Sequence, residues 1–294
     1  MSGELRYAEY FSARAGVTTD VEAILYDGRS SHQRITVLLS PTFGRMLLLD
    51  GAVMVTEWDE FIYHETLVHP ALFLLPQPRK VLVVGGGDGG SVREILRHPS
   101  VEGVDVVEID EEVVRVARRF LPTVASCLGD PRVRIYYQDG AQFVAERSKA
   151  TYDVVIVDAP DPIGIGGSLF TETFYQHCWR ILRSDGVLVL QSGSPLHPAY
   201  REALPRVQGT LQTLFRHVAP YWAPVPTYPT GIWTFTIASR RWHPTKDYDL
   251  NQAWGRYRSL AGKLRYYTPE LHTAAFALPA FIVELLGLAA SEVA

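Results

Sequence analysis

The segment Asp158-Ala159-Pro160-Asp161-Pro162 holds two carboxylates three residues apart in a chain stiffened by prolines. Paired acids fixed in a cleft suit either a metal ion or an amine. Oxygen-ligand metal sites usually draw on further carboxylates at local spacing, or on histidines, so an amine is the better fit. A turn with two solvated acids is the plain alternative. A second cluster is Gly85-Gly86-Gly87-Asp88-Gly89-Gly90, which follows an apolar run. Its G-x-G-x-x-G spacing lets a backbone approach a ligand closely, and a dinucleotide, a sulfonium nucleoside or a mere tight turn would all fit it. Glu108, about 20 residues further on, would accept from the vicinal hydroxyls of a ribose under either ligand reading.

Asp88 separates these readings. A pyrophosphate would meet its negative charge, and so would the carboxylate of ordinary S-adenosylmethionine. A cationic amine would be drawn to it. The plain alternative is that Asp88 caps the following helix. Two further stretches carry aromatic and basic groups: Glu60-Phe61-Ile62-Tyr63-His64-Glu65 and Pro226-Thr227-Tyr228-Pro229-Thr230-Gly231. A tyrosine on a helix face or between prolines is often only packing, so neither stretch decides by itself.

The elements that must position these groups follow from periodicity. Residues 20–57 read as short antiparallel strands, with a hairpin at Asp50-Gly51. Phe61, His64, Glu65, Val68, Leu72 and Leu75 recur at helical spacing up to Pro76. Apolar strands are then predicted at 81–84, 104–109, 133–137, 154–157 and 187–190, with helices between them. Such alternation implies a parallel sheet covered by helices on both faces. Ligands of such sheets sit at the carboxyl ends of the strands. Those ends carry Gly85 to Asp88, Glu108, Asp139 and Asp158. A small N-terminal β-domain over 1–57 and a catalytic domain over 58–294 are expected.

Taken together, these motifs resemble the polyamine aminopropyltransferases, the spermidine synthase family. The resemblance rests on Leu49-Asp50-Gly51, on 56–65 and 84–90, on Glu108-Ile109-Asp110, Asp139-Gly140 and Asp158-x-x-Asp161-Pro162, on 226–229, and on 266–279. It implies a doubly wound α/β fold, Rossmann-like and similar to S-adenosylmethionine methyltransferases, with a small N-terminal β-domain. It also implies a reaction, in which decarboxylated S-adenosylmethionine donates its aminopropyl group to an amine and 5′-methylthioadenosine leaves. By the same resemblance Asp158 matches the proton acceptor, and His64 and Asp88 match the aminopropyl end of the donor site. Glu108 matches the ribose acid, Asp139-Gly140 the adenine pair, and Gln33 a glutamine contacting the donor. Gly85 and Gly87 belong to the donor loop. Tyr63, Asp161 and Tyr228 match residues around the acceptor. No metal and no tightly bound cofactor are expected, the donor being a co-substrate. A homodimer or homotetramer is implied. Rival readings are a polyamine N-methyltransferase on the same scaffold, a non-catalytic polyamine-binding protein and, more distantly, a nicotinamide oxidoreductase.

The sequence also departs from the family pattern. Met54 stands where many relatives carry glutamine, Ala159-Pro160 replaces two hydroxyl residues, Ile165 replaces a proline, and Trp233 lies near the acceptor tyrosine. These changes make the acceptor side less polar. They argue against putrescine as the sole acceptor, so putrescine or a longer or related amine such as agmatine, cadaverine or spermidine is expected. The Gly-rich segment 159–172 is a candidate lid.

Composition sets the outer bounds. The chain has 294 residues, is 47% hydrophobic and carries a net charge of −4, so it supports a large core and offers no broad basic face for nucleic acid. Cys127 and Cys178 form no disulfide or zinc pattern. Charged residues within 1–20 argue against a signal peptide, and the apolar stretch 274–290 is broken by Pro279 and Glu284. A soluble, cytoplasmic enzyme with no membrane partner is expected.

Overall fold

A computed structural model of the protein describes residues 5–159, 164–260 and 262–288, apart from the side chains of 164 and 165. From the N-terminus, β1 (Leu5–Ser12) and β2 (Ala15–Val21) pair antiparallel as a two-stranded ribbon. The strands β3 (Ala23–Arg29), β4 (Arg34–Ser40), β5 (Gly44–Leu49) and β6 (Ala52–Thr56) form a four-stranded antiparallel meander. Its last turn is Asp50-Gly51, both residues with positive φ, which is the twist a two-residue hairpin prefers. The ribbon lies ahead of the first predicted strand. Most of β1 and β2 is exposed or half-buried, so no apolar face marks them in the sequence.

Helix α1 (Glu60–Leu74) leads into the large sheet and is buried over nearly its whole length. Its last carbonyls cannot bond within the helix. The Arg256 guanidinium takes those of Leu72, Phe73 and Leu75 at 2.6, 3.2 and 2.5 Å.

Strands and helices then alternate: β7 (Lys80–Gly85), α2 (Gly90–Leu96), β8 (Gly103–Glu108), α3 (Glu111–Phe120), β9 (Val133–Tyr137), α4 (Gly140–Glu146), β10 (Tyr152–Asp158), α5 (Glu172–Ile181), β11 (Leu182–Gly193) and α6 (Ala203–Leu214). An edge pair follows, β12 (His217–Pro224) and β13 (Ile232–Ser239), and then the short helices α7 (Leu250–Tyr257), α8 (Pro269–Ala275) and α9 (Ala280–Leu286). No single helix among the described residues is long and apolar enough to cross a membrane.

The seven-stranded sheet runs β12-β13-β11-β10-β7-β8-β9. Strands β7 to β11 are parallel, but β13 pairs antiparallel with both β11 and β12. The sheet is therefore mixed, where alternation alone implied a parallel one. Successive side chains of a strand face opposite ways. Val81 and Val83 pack in a cluster with Leu67, Val68 and Ile95, while Leu82 and Val84 pack with Phe143, Phe174 and Tyr175. Helices cover both faces, which is the doubly wound, Rossmann-like α/β arrangement. The chain proceeds outward from β7 to β8 and β9, then returns to β10 on the other side of β7. That reversal opens a crevice at the carboxyl end of β7.

Candidate active site

Gly85 pairs with Asp158 across β7 and β10, and the Gly86 N–H donates to the Asp158 carbonyl at 2.8 Å. Gly85 has φ +84°, and any Cβ there would strike that same carbonyl, so the loop needs glycine for both reasons. Gly90 lies flush against the His64 ring, and a Cβ there would overlap it. The glycine run thus lets α1 and β10 close on the loop from two sides.

Gln33, Tyr63, His64, Gly85, Gly87, Asp88, Glu108, Asp139, Gly140, Asp158 and Tyr228 all line one cavity at this crevice. Asp161 lies outside the described residues, as does 160–163 of the candidate lid. The following Gly164–Phe170 is a 3₁₀ turn, and its Leu169 reaches the cavity.

At the crevice centre, Tyr63 Oη donates to Asp158 Oδ1 at 2.9 Å and Ser91 Oγ donates to Asp158 Oδ2 at 2.6 Å. His64 Nε2 lies 3.3 Å from Asp88 Oδ1, and the Gly90 N–H donates to the same oxygen at 2.7 Å. Asp88 therefore accepts the first N–H of α2 from the position before the N-cap Gly89, and it faces the cavity as well. Ligating atoms of His64, Asp88 and Asp158 lie within 4.8 Å of one another.

These groups divide the charge between them. Burial disfavours charge on His64, but Asp88 and Glu60 outweigh it and raise its pKa well above the ordinary histidine value. Burial likewise opposes ionised Asp88, yet His64 and the Gly90 N–H hold its pKa below the usual carboxylate range. Burial and the charge of Asp88 push the Asp158 pKa up. The result is a fixed anion beside a more basic carboxylate. Such a pair can bind a cation and accept a proton.

Further along the cavity, Glu108 Oε2 accepts the Gly87 N–H at 3.2 Å and Oε1 accepts the Asp110 N–H at 3.0 Å. Burial pushes its pKa up to about 7. Gln33 donates to Asp110 Oδ2 at 3.0 Å. Asp139 caps α4 by accepting the Gln142 N–H at 2.8 Å, and Gly140 opens that helix.

Tyr228 contributes its ring, because its hydroxyl donates to the Met54 carbonyl at 2.6 Å. The ring meets Tyr63 at 5.8 Å and Trp233 at 4.7 Å between centroids. Tyr200 adds a further wall against Trp233 at 5.7 Å. This end of the cavity is aromatic.

Several supporting residues were given no role of their own by the sequence reading. Ser91 follows the glycine loop and gave no signal of its own. Glu60 lies four residues before His64, on the same helix face, and that spacing was a readable signal. Asp59 accepts from the Thr227 N–H and hydroxyl at 2.9 and 2.8 Å, anchoring the loop that carries Tyr228. Glu65 accepts the N–H groups of Arg265, Tyr266 and Tyr267, each at 2.8 Å, and ties down the C-terminal region. Two turns of chain, 59–65, thus organise most of the site.

Comparison with known proteins agrees with this architecture. The spermine/spermidine synthase domain model matches residues 60–249, and the spermidine synthase tetramerisation domain model matches residues 7–57. The chain is 42% identical to the polyamine aminopropyltransferase of Alkaliphilus oremlandii over 283 residues, which is 96% of this chain and 98% of that one. It is also 42% identical to one from Clostridium botulinum over 284 residues, covering 97% and 98%. A spermidine synthase solved with the transition-state analogue AdoDATO superposes with a TM-score of 0.92 at 39% identity, covering 97% of this chain and 96% of that chain. The spermidine synthase of Thermotoga maritima gives 0.90 at 38% identity, covering 97% and 95%. The chain belongs to the spermine/spermidine synthase family.

Proposed function

We propose that the protein transfers the aminopropyl group of decarboxylated S-adenosylmethionine to an amine, with Asp158 as the proton acceptor. The observation that carries this reading is the cluster of Asp88, His64 and Asp158 within 4.8 Å, beside Tyr63. The acceptor nitrogen attacks the propyl carbon bound to sulfur. That C–S bond breaks, its electron pair returns to sulfur, and 5′-methylthioadenosine leaves neutral. The proton lost from nitrogen passes to Asp158. An alkylamine has a reference pKa near 10.4, so only about one molecule in a few thousand is neutral at pH 7. A carboxylate of raised basicity, aimed by Tyr63 and Ser91, answers that need. Holding the two substrates together supplies much of the remaining rate, since a sulfonium is already a good leaving group.

The same three ligating atoms could in principle surround a metal ion. Both His64 ring nitrogens face carboxylates, however, at 2.6 Å from Glu60 and 3.3 Å from Asp88. An imidazole donating from both nitrogens has no lone pair left for a metal. A methyl transfer from intact S-adenosylmethionine is disfavoured because its carboxylate would approach Asp88.

The aromatic end formed by Tyr63, Tyr228, Trp233 and Tyr200 supports an acceptor with a long apolar stem. Methylthioadenosine release is expected with more than one of putrescine, cadaverine, agmatine and spermidine. Strict preference for putrescine would overturn the broad-acceptor reading. No release with any of them would overturn aminopropyl transfer and favour a binding protein.

Glu108 gives the adenosine end a pH signature. Its pKa of about 7 in the ligand-free protein is raised, so ionising it costs folded-state stability as pH climbs through that value. Ribose hydroxyls donate to the ionised form. Ligand binding should therefore tighten as pH rises, by up to about tenfold between pH 6 and pH 8. Methylthioadenosine is the probe to use in calorimetry, because it lacks the ammonium that would involve Asp88. The trend should flatten in Glu108→Gln, and an equal slope in that variant would assign it elsewhere.

A further inference from the structure

Behind Asp88 lies a buried ladder of alternating charge that the transfer step does not itself use. His64 Nδ1 is 2.6 Å from Glu60 Oε2. Arg93 grips both oxygens of Glu60, Nη1 to Oε1 at 2.9 Å and Nη2 to Oε2 at 2.8 Å. Arg93 Nε in turn donates to Oε1 of fully buried Glu94 at 2.8 Å, and Glu94 Oε2 faces His69 Nε2 at 3.2 Å. Arg93 is thus held from both sides, and Glu60 is held by Arg93.

His64 is enclosed by Glu60 and Tyr63 from α1, Asp88 and Gly90 from the loop and the start of α2, and Asp158 from β10, with Arg93 of α2 behind Glu60. A ring nitrogen that faces a carboxylate oxygen is satisfied only by donating, and both of its nitrogens face one. Asp88 Oδ1 receives the Nε2 contact together with the Gly90 N–H. Neither contact uses Oδ2.

We propose that Glu60, clamped by Arg93, is a positioning residue that fixes His64 with both ring nitrogens donating, so that Asp88 is steadied through Oδ1 and presents Oδ2 to the cationic amine of the donor. This role rests on the aminopropyl-transfer reading of the same cavity. Glutamine at position 60 keeps the shape and can still accept from Nδ1–H. It removes the negative charge that holds the imidazolium. Once His64 becomes neutral, a lone pair at Nε2 faces Asp88 and the carboxylate loses its orientation.

The test combines spectroscopy and kinetics. Ring ¹⁵N NMR on the full, ligand-free chain, with His64 assigned by its loss in His64→Gln, should show both nitrogens still protonated at about pH 8, where an ordinary imidazole is neutral. In Glu60→Gln the neutral ring should dominate by about pH 8, with kcat/KM for decarboxylated S-adenosylmethionine lowered roughly 10- to 100-fold there. Most of that loss should return at about pH 6, where the ring recharges, and KM for the amine should change little. A merely structural role would lower activity equally at every pH, and that result overturns the proposal. A neutral His64 in the wild-type protein overturns it too, even if Glu60→Gln fails to fold. The spectrum is read without substrate, so a failure of aminopropyl transfer would appear separately, as absent turnover in the wild-type enzyme.

Discussion

Replacing Asp158 with asparagine is expected to lower kcat by roughly 10²- to 10⁴-fold, the usual worth of a general base. The substitution is nearly isosteric. Its amide oxygen can still accept from Tyr63 Oη or Ser91 Oγ, which now approach the carboxylate at 2.9 and 2.6 Å. Affinity for methylthioadenosine should therefore hold, because the residues proposed to bind it, Glu108 and Gln33, line another part of the cavity. What disappears, on the proposed mechanism, is the group that takes the acceptor's proton. The variant must wait for amine that is already neutral, so its residual rate should climb about tenfold per pH unit until the amine's own pKa near 10.4. Wild-type enzyme should show a much shallower slope. Single-turnover release of methylthioadenosine across pH reads both quantities. Near-normal turnover in the variant would remove Asp158 from the role of base.

The acids were legible in the sequence because a doubly wound sheet makes them so. Strands buried on both faces read as unbroken runs, as 81–84 and 154–157 do, and whatever follows such a run lies at the crevice. Gly85, Glu108 and Asp158 end adjacent strands, and Asp139 follows the next one out, so their convergence needed only the strand order. The hairpin of β12 and β13 escaped that logic. Pro220 lies within β12 and Pro224 ends it, and proline in a run argues against a strand unless the strand lies at an edge, as β12 does. The missing pair is also what makes the sheet mixed. In the site, residues acting through others were the hardest to see. Ser91, Asp59 and Glu65 bind protein atoms rather than sit at a strand end, and their partners lie far away in sequence, up to 202 residues in the case of Glu65 and Tyr267. Local spacing carries no trace of such pairs.

Asp88→Ala is expected to change which donor the enzyme accepts. In the wild-type protein His64 stands between two carboxylates, Glu60 at 2.6 Å and Asp88 at 3.3 Å. Removing Asp88 leaves the imidazolium balanced by Glu60, itself already matched by Arg93. The charge of this end of the cavity rises by one unit. The ammonium of decarboxylated S-adenosylmethionine loses its attraction, while the carboxylate of intact S-adenosylmethionine loses its repulsion. Intact S-adenosylmethionine carries the same ammonium, so the lost attraction largely cancels between the donors and the lost repulsion of its carboxylate shifts their ratio; like-charge contacts in a desolvated site are worth several kcal/mol, so a fall of the order of 10²- to 10³-fold in the preference for the decarboxylated donor is expected. Alanine also deletes the acceptor for the Gly90 N–H, now at 2.7 Å, which could loosen the loop. A loosened loop would weaken both donors together and leave their ratio alone. Competitive binding of the two donors against methylthioadenosine therefore separates the causes. An unchanged ratio would mean that the carboxylate of Asp88 only holds the Gly90 N–H at the start of α2 and does not select the donor.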